Sequence, residues 1–437
     1  MSRNERCYYQ WFETLPSDWK YKKIKFLTAL RSEKTNENTG FPYIGLENIE
    51  PKTGIYLEPD STNNEEIEGI SNKFYKNDVL FGKLRPYLAK CILADFEGIC
   101  TTELLVMKVK EQELSEKYLK YLLLSPKFID LVNSSTYGSK MPRANGEFIK
   151  NIEIPVPTLE VQRNIEKFIE NKTDEIDNLI IDKERLVRLL EEKRRSMITE
   201  AVTKGLNPNV KMKNSGVEWI GEIPDHWTIK KIKHISTFVG SGKTPKGGAE
   251  IYPESGVLFL RSMNVHYDGI RLKDIVHITP EIDEDMRSTR VKSKDVLLNI
   301  TGASIGRSCI VPESLGKANV NQHVCIIRSN TRVVVPELLS KIMSSNFIMQ
   351  QILMSQNGSS REGLNFTQVK NLEFPLTRDL HEQIEIANHI SVETDKVNSL
   401  ISMIKQQIQK LKDYRQSLIY EAVTGKIDVR DFEIESE

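Results

Sequence analysis

Nowhere in the 437 residues do about 18 consecutive apolar residues occur, the run a helix needs to cross a bilayer. The opening stretch MSRNERCYYQW also lacks the apolar core of a signal peptide. The chain therefore reads as soluble and cytoplasmic, with no membrane partner. Cysteine is scarce: Cys7, Cys91, Cys100, Cys309 and Cys325 are odd in number, scattered and without a CxxC pair, which argues against a disulfide framework or a zinc site. Net charge is absent too, with 61 basic against 61 acidic residues, so any surface for a polyanion has to be local. Catalytic motifs are missing as well. The seven histidines are dispersed without HExxH, and 207–210 (NPNV) is not the NPP-aromatic signature of amino-methyltransferases. The stretch 240–244 (GSGKT) lacks the P-loop glycine where Thr237 stands and continues into Pro245 where a helix has to begin. No catalytic residue and no bound metal or cofactor is expected in this chain.

What is there is written twice. WFETLPSDW at 11–19 matches WIGEIPDHW at 219–227 at an offset of 208, each followed by a lysine-rich stretch. EAVTKG at 200–205 matches EAVTGK at 421–426 at an offset of 221, and that register extends back through Gln162/Gln383, Thr173/Thr394 and Asp174/Asp395. The second copy thus carries 13 extra residues between its tryptophans and its end. The middles diverge, although DVLF from Asp78 and DVLL from Asp295 read as one strand, and the loops at Tyr137 and Asn357 as one loop. Matching frames with divergent middles imply two copies of a module turned toward two ligands.

From Leu159 to Ala201 there is neither proline nor glycine. Apolar residues at Ile165, Phe168, Ile169, Ile176, Leu179, Ile180, Leu186, Val187, Leu190, Met197 and Ile198 recur at helical spacings. Adding 221 reproduces the seam from Ile386 to Ile419, broken only by His389 and Gln407. Each helix would be roughly 60 Å long at ~1.5 Å per residue, and antiparallel pairing would bury both seams. Pro155, Pro157 and Pro375 precede the helices, Thr158 and Asp379 are candidate caps, and 205–216 reads as an exposed connector. The expected organisation is a first domain over 1–154, a central helix over 155–206, a connector with a second domain over 207–374, and a distal helix with its tail over 375–437. The fold class is α+β in each head, with two heads in a pseudo-two-fold tandem repeat joined by long antiparallel coiled-coil helices.

The heads carry the charge that the total conceals. Residues 20–150 hold 20 bases against 18 acids, 228–372 hold 19 against 12, and 376 onward reverses to 8 against 12. In the first head, Lys83, Arg85 and Tyr87 lie on a loop after a strand, and Ser139, Lys140 and Arg143 on a second polar loop. The second head offers Lys243 and Thr244, then Asn299, Thr301, Ser304 and Arg307, then Asn321 and Gln322, and finally Ser359, Ser360 and Arg361. Arginine can grip guanine O6 and N7 with two bonds, lysine suits phosphate, and amides and hydroxyls can read base edges. These are the candidate DNA contacts.

The segment GLNPNVKMKNSGVEWIGEIPDHW, the duplicated EAVT helix ends and the paired heads resemble the specificity subunits of type I restriction-modification enzymes, the HsdS family. The resemblance spans essentially the whole chain. It implies that each head is a target recognition domain reading one half of a split site in double-stranded DNA. It implies that the helices set the spacing, at most about 18 base pairs for a rod of roughly 60 Å, and dock two modification (methyltransferase) subunits. S-adenosylmethionine for adenine methylation would then sit on those subunits, and ATP and Mg with the restriction subunits. An orphan or decoy specificity subunit and a coiled-coil protein scaffold stay open as alternatives.

Overall fold

The computed structural model describes residues 11–12, 14–36, 40–58, 69–110, 113–245, 252–356 and 363–429. The chain forms two compact units, one made of residues 1–184 and 405–437 and the other of 185–404. Both long helices, α5 (Leu159–Lys204) and α11 (Leu380–Val423), are divided between the units. The expected caps begin them: Thr158 Oγ1 accepts from the Val161 amide at 3.4 Å, and Asp379 Oδ1 from the His381 amide at 2.8 Å. Among the described residues, no helix is long and apolar enough to cross a membrane.

In the first unit, residues 159–184 of α5 run antiparallel to 405–423 of α11. Asp177 pairs with Arg415 at 3.1 Å, and Lys183 Nζ donates to Gln407 at 2.8 Å. A four-stranded antiparallel sheet packs on them, in the order β2 (Thr28–Leu30), β9 (Leu104–Val109), β6 (Val79–Gly82), β7 (Cys91–Leu93). A second sheet has the order β3 (Lys34–Thr35), β5 (Ser71–Phe74), β8 (Gly98–Thr101), β4 (Tyr43–Ile44). The run VLF in β6 is apolar without interruption because both its faces are covered. Val79 and Phe81 enter the core with helix α2 (Glu116–Leu124), Phe128, Ile165, Ile169 and Ile419, while Leu80 enters a second core with Ile44, Phe74 and Ile92. Strands β1 (Lys20–Lys23) and β10 (Glu153–Val156) pair antiparallel to close the unit.

The second unit repeats this plan. Residues 185–204 of α5 run antiparallel to 380–404 of α11, with Arg194 Nη1 donating to Asn398 Oδ1 at 2.6 Å and Val187 packed with Val397 and Ile401. The first sheet is β14 (Ser236–Ser241), β23 (Val324–Ser329), β20 (Val296–Asn299), β21 (Ser308–Ile310), again all antiparallel. The second is β18 (Val276–Ile278), β15 (Val257–Leu260), β22 (Ala318–Val320), β19 (Arg290–Val291). Here the copies part. In the first unit the outer strand β3 adds beside β5, whereas in the second β18 adds beside β15, on the other edge of the three matching strands. The connector after α5 is a two-stranded hairpin, β11 (Met212–Asn214) with β12 (Glu222–Pro224), rather than a bare loop.

Buried polar groups recur in both units and account for several of the matches. Gln162 accepts from the Ser115 amide and donates to Glu113 O and Pro157 O at 2.8–2.9 Å, and Gln383 does the same with Val335, Val333 and Thr377 at 2.8–3.0 Å. Asp78 pairs with Arg31 and accepts from the Tyr75 amide, and Asp295 pairs with Arg328 and accepts from the Lys292 amide. Asn48 and Asn264, both buried, each lock a turn by accepting from the amide three residues earlier at 2.9 Å. The offset between copies climbs from 208 at Thr28/Ser236 to 216 at Asn48/Asn264, 217 at Asp78/Asp295 and 221 at Gln162/Gln383. The 13 additional residues are therefore spread over several insertions, with a net eight between the first strand and the asparagine turn.

The helix seam is narrower than its spacing predicts. Ile165, Ile169, Ile176, Ile180, Val187 and Ile198 are buried, as are Ile386, Ile390, Val397, Ile401, Ile408, Leu418 and Ile419. Leu179, Leu186 and Leu400 face outward instead. Spacings of three, four and seven admit more residues than one antiparallel partner can cover. Cys91, Cys100, Cys309 and Cys325 are buried, and burial pushes each thiol up to about 12. Cys7 lies outside the described residues.

Candidate nucleic-acid interface

In each unit the loops holding the candidate residues converge on one end of the first sheet, where β6 and β20 finish. The convergence is made by main-chain bonds. Lys83 N donates to Glu103 O at 2.9 Å, Ala144 N to Lys83 O at 2.9 Å, and Leu84 bridges Arg143. In the second unit Ile300 N donates to His323 O at 3.0 Å, Leu364 N to Ile300 O at 2.8 Å, and Thr301 bridges Gly363. The turn that follows is shared as well: Gly82 N donates to Lys90 O and Asn299 N to Arg307 O, both at 2.8 Å. One backbone frame is thus built twice and dressed differently. Arg85 corresponds to Gly302, Tyr87 to Ser304, Lys90 to Arg307, Glu103 to His323 and Arg143 to Gly363.

Arg85 is the most telling of these. Its φ is +50°, in the left-handed region that costs an L-residue about 1 kcal/mol or more, and the matching residue is a glycine with φ +71°. The frame demands this conformation at both places, and only in the first unit does it carry an exposed guanidinium. Tyr87, Tyr137 and Met141 are exposed around it, with Ser139 and Lys140 also outward. Lys83 is half-buried. Arg143, although exposed, is engaged: its Nε and Nη2 donate to the two oxygens of Glu103 at 2.9 and 2.6 Å, and that carboxylate raises the guanidinium's pKa further. Lys90, absent from the sequence candidates, donates its ammonium to Leu46 O, and burial lowers its pKa.

The second unit presents amides and hydroxyls. Gln322 is exposed, with its side-chain nitrogen 3.1 Å from His323 Nε2, while His323 Nδ1 lies 2.6 Å from Thr301 Oγ1. With the Gln322 amide donating to Nε2, the ring proton sits on Nδ1 and is donated to Thr301. Ser304 and Arg307 are half-buried beside them. Two candidates have structural work instead. Asn299 is fully buried and donates to Ser262 O at 2.8 Å and Ser304 Oγ at 3.1 Å; Asn321 is buried and accepts from the His323 amide at 3.1 Å. Both lie next to the rim, where they hold its turns rather than face outward. Lys243 and Thr244 are exposed just past β14, at the same sheet end. A Cβ on Gly242 would stand 1.5 Å from Val320 O, so close backbone approach explains this glycine without a phosphate cradle. Ser359, Ser360 and Arg361 lie outside the described residues. Among the described residues no group of His, Cys, Asp and Glu could hold a metal ion.

Two modules with equal frames and unequal, cation- and amide-bearing rims define a tandem-module reader of an extended ligand. Comparison with known proteins gives the class its name. The family model described as the type I restriction modification DNA specificity domain matches residues 16–184 and again 224–410, and the chain belongs to that family. It is 24% identical over 428 residues to the type I restriction enzyme MjaVIII specificity subunit of Methanocaldococcus jannaschii, covering 95% of each chain. It is 20% identical over 409 residues to the EcoBI specificity subunit of Escherichia coli, covering 91% of this chain and 82% of that one. Among solved structures, a chain from work on complex assembly and conformational transition of the type I R-M system superposes with a TM-score of 0.67 at 16% identity, over 95% of this chain and all of that one. The fold is therefore shared at the level of the whole chain.

Proposed function

We propose that this chain is the DNA-specificity subunit of a type I restriction-modification complex, each unit reading one half of a bipartite site in double-stranded DNA. The observation that carries this reading is the frame built twice with different side chains: Arg85 against Gly302, Glu103 against His323, Arg143 against Gly363. Main-chain bonds hold each rim, so its side chains can differ without disturbing the fold, as readers of two different half-sites require. In the first unit, Arg85 and Lys140 supply cations, with Arg143 released from Glu103 on contact. In the second, Gln322, Thr301, Ser304 and Arg307 supply donors and acceptors suited to base edges and phosphates.

The chain leaves the chemistry to its partners. Two modification subunits would bring S-adenosylmethionine for adenine methylation, and restriction subunits would bring ATP and Mg, all in the cytoplasm. Support for docking comes from the outer face of the long helices, where Leu179 and Leu400, equivalent at an offset of 221, are 50% and 45% exposed, and Leu189, Val392, Met403 and Tyr414 are exposed too. Apolar side chains left outward at equivalent places suit two copies of one partner. The test is a methylome of cells coexpressing this chain with its cognate modification subunit, against cells carrying that subunit alone. A new split motif with methylated adenine in both parts is expected. A stable complex without new methylation would favour an orphan or decoy subunit instead.

A further inference from the structure

The second unit contains a polar cavity of about 200 Å³ between residues 194–198 of α5, 394–398 of α11 and the start of helix α9 (Asn346–Gln356). Its wall holds three cations, Arg194, Arg195 and Lys341, against two carboxylates, Asp268 and Asp395, the first of which is already bonded to Arg271 at 3.0 Å. Ser308 lines the same cavity and is 1% exposed, and its buried hydroxyl has no hydrogen-bond partner among the described residues. An unpartnered buried hydroxyl is a cost that native structures carry where something else supplies the bond.

In the first unit the equivalent arginine is more fully bonded, although Arg415, Asp177, Lys52 and Thr53 line a cavity there too. There Arg415, 221 residues after Arg194, is bonded to the Asp177 carboxylate at 3.1 Å and to the carbonyls of Lys52 and Thr53 at 3.3 and 3.4 Å. In the second unit the residue matching Asp177 is neutral Asn398, and Arg194 has that one amide as its side-chain partner among the described residues. Lys341 is half-buried with no ion pair among the described residues, and burial lowers its pKa against the opposing influence of Asp395. The carboxylate that pairs with the arginine in one copy is thus a neutral amide in the other, and the two carbonyls have no counterpart bonded to Arg194 among the described residues.

We propose that this cavity is a binding site for a phosphate-class oxyanion, gripped by Arg194, Arg195 and Lys341 and completed by a bond from the Ser308 hydroxyl. The site borders the rim, since the Tyr267 hydroxyl on its wall donates to Gly306 O at 3.4 Å beside Arg307, but the proposal does not depend on the DNA reading. Its ligand is a small free phosphate compound or a phosphodiester of a nucleic-acid backbone, two sources with one chemistry.

The experiment is calorimetric titration of the full-length chain with inorganic phosphate in a chloride buffer, beside the variants Asn398→Asp and Ser308→Ala. Asn398→Asp installs the ion pair of the first unit, so it should melt like the parent while losing phosphate affinity at least about tenfold, and Ser308→Ala should lose roughly three- to tenfold. Should Asn398→Asp not fold, Lys341→Met gives the same comparison. Saturable binding at one site that weakens in these variants supports the proposal. Duplex DNA then separates the sources: competitive displacement of phosphate assigns a backbone phosphodiester, and independent binding assigns a small phosphate compound. Absence of saturable phosphate binding to the parent chain, or equal affinity in a folded Asn398→Asp, overturns it.

Discussion

Replacing Arg85 with glycine separates what the backbone needs from what the ligand needs. Arg85 holds φ +50°, and relieving that conformation is worth about 1 kcal/mol. Glycine gives back about 0.5–1 kcal/mol through the entropy of the unfolded chain, so net stability should stay within about 0.5 kcal/mol of the parent. The loss to DNA is larger. One charged contact is worth roughly 1.5–3 kcal/mol, or about ten- to a hundredfold in affinity. The assay is fluorescence anisotropy of the chain, assembled with its modification subunit, on duplex carrying the methylome-defined target, at several salt concentrations, with melting measured alongside. If Arg85 meets a phosphate, the slope of log affinity against log salt should shrink by about 0.9 for all sequences; if it meets a base, the loss should fall on one half-site at little change in slope. Unchanged affinity at every salt concentration would refute a place for Arg85 at the DNA, and a melting point lowered by many degrees would refute the strain argument.

Other perturbations test the rest of the account. Glu103→Gln frees the guanidinium of Arg143 and should tighten non-specific DNA binding with a steeper salt dependence, read by the same anisotropy series. Glu166 is buried with one carboxylate oxygen unpartnered, and its match in the second copy is Ala387. Burial raises its pKa above the unfolded value, so its stabilising contribution is greatest at acid pH and is lost as pH rises through the folded pKa. Glu166→Gln should therefore melt higher than the parent at pH 7, by a degree or two for roughly 1 kcal/mol, with the difference vanishing below about pH 4. Arg415→Ala should destabilise the chain by roughly 2 kcal/mol, because Asp177, Lys52 O and Thr53 O lose a common donor. Arg194→Ala should cost clearly less, and calorimetric melting of the two variants makes the comparison.

The long helices are legible because their signal is redundant: over 40 residues without proline or glycine, repeated at one offset, with caps where the structure begins them. The strands of the first sheets are legible for a similar reason, since β6 and β20 are short apolar runs buried on both faces. The rim is legible only in outline. Lys83–Tyr87 and Ser139–Arg143 do meet, but that Arg143 is held by Glu103, and that Asn299 points inward, depends on partners 40 and 37 residues away. The correspondence of Arg85 with Gly302 was out of reach because the offset changes several times between the fixed ends, through insertions that leave no residue pattern behind. Leu179 and Leu400 show the opposite failure. Their spacing fits a seam, yet two helices cover only one stripe of each other, and the same periodicity also marks the stripe left outside.

That main-chain bonds hold the rim makes a stronger demand: the frame should accept the first unit's chemistry in the second. Gly302 has φ +71°, and a Cβ built there meets no atom within 4 Å, so Gly302→Arg is strained by its backbone but not crowded. The cost should be about 1–2 kcal/mol, a loss of a few degrees in melting temperature that leaves the chain folded. The new guanidinium would stand where Arg85 stands in the other copy, at a rim otherwise made of Thr301, Ser304, Gln322 and His323. If rim side chains specify and the backbone merely presents them, the methylome should keep one half of its split motif and change or relax the other. A motif altered in both halves would mean that the units do not read independently. An unaltered motif, with the protein folded and the complex intact, would mean that position 302 lies off the DNA, and with it the frame equivalence on which Arg85 was chosen.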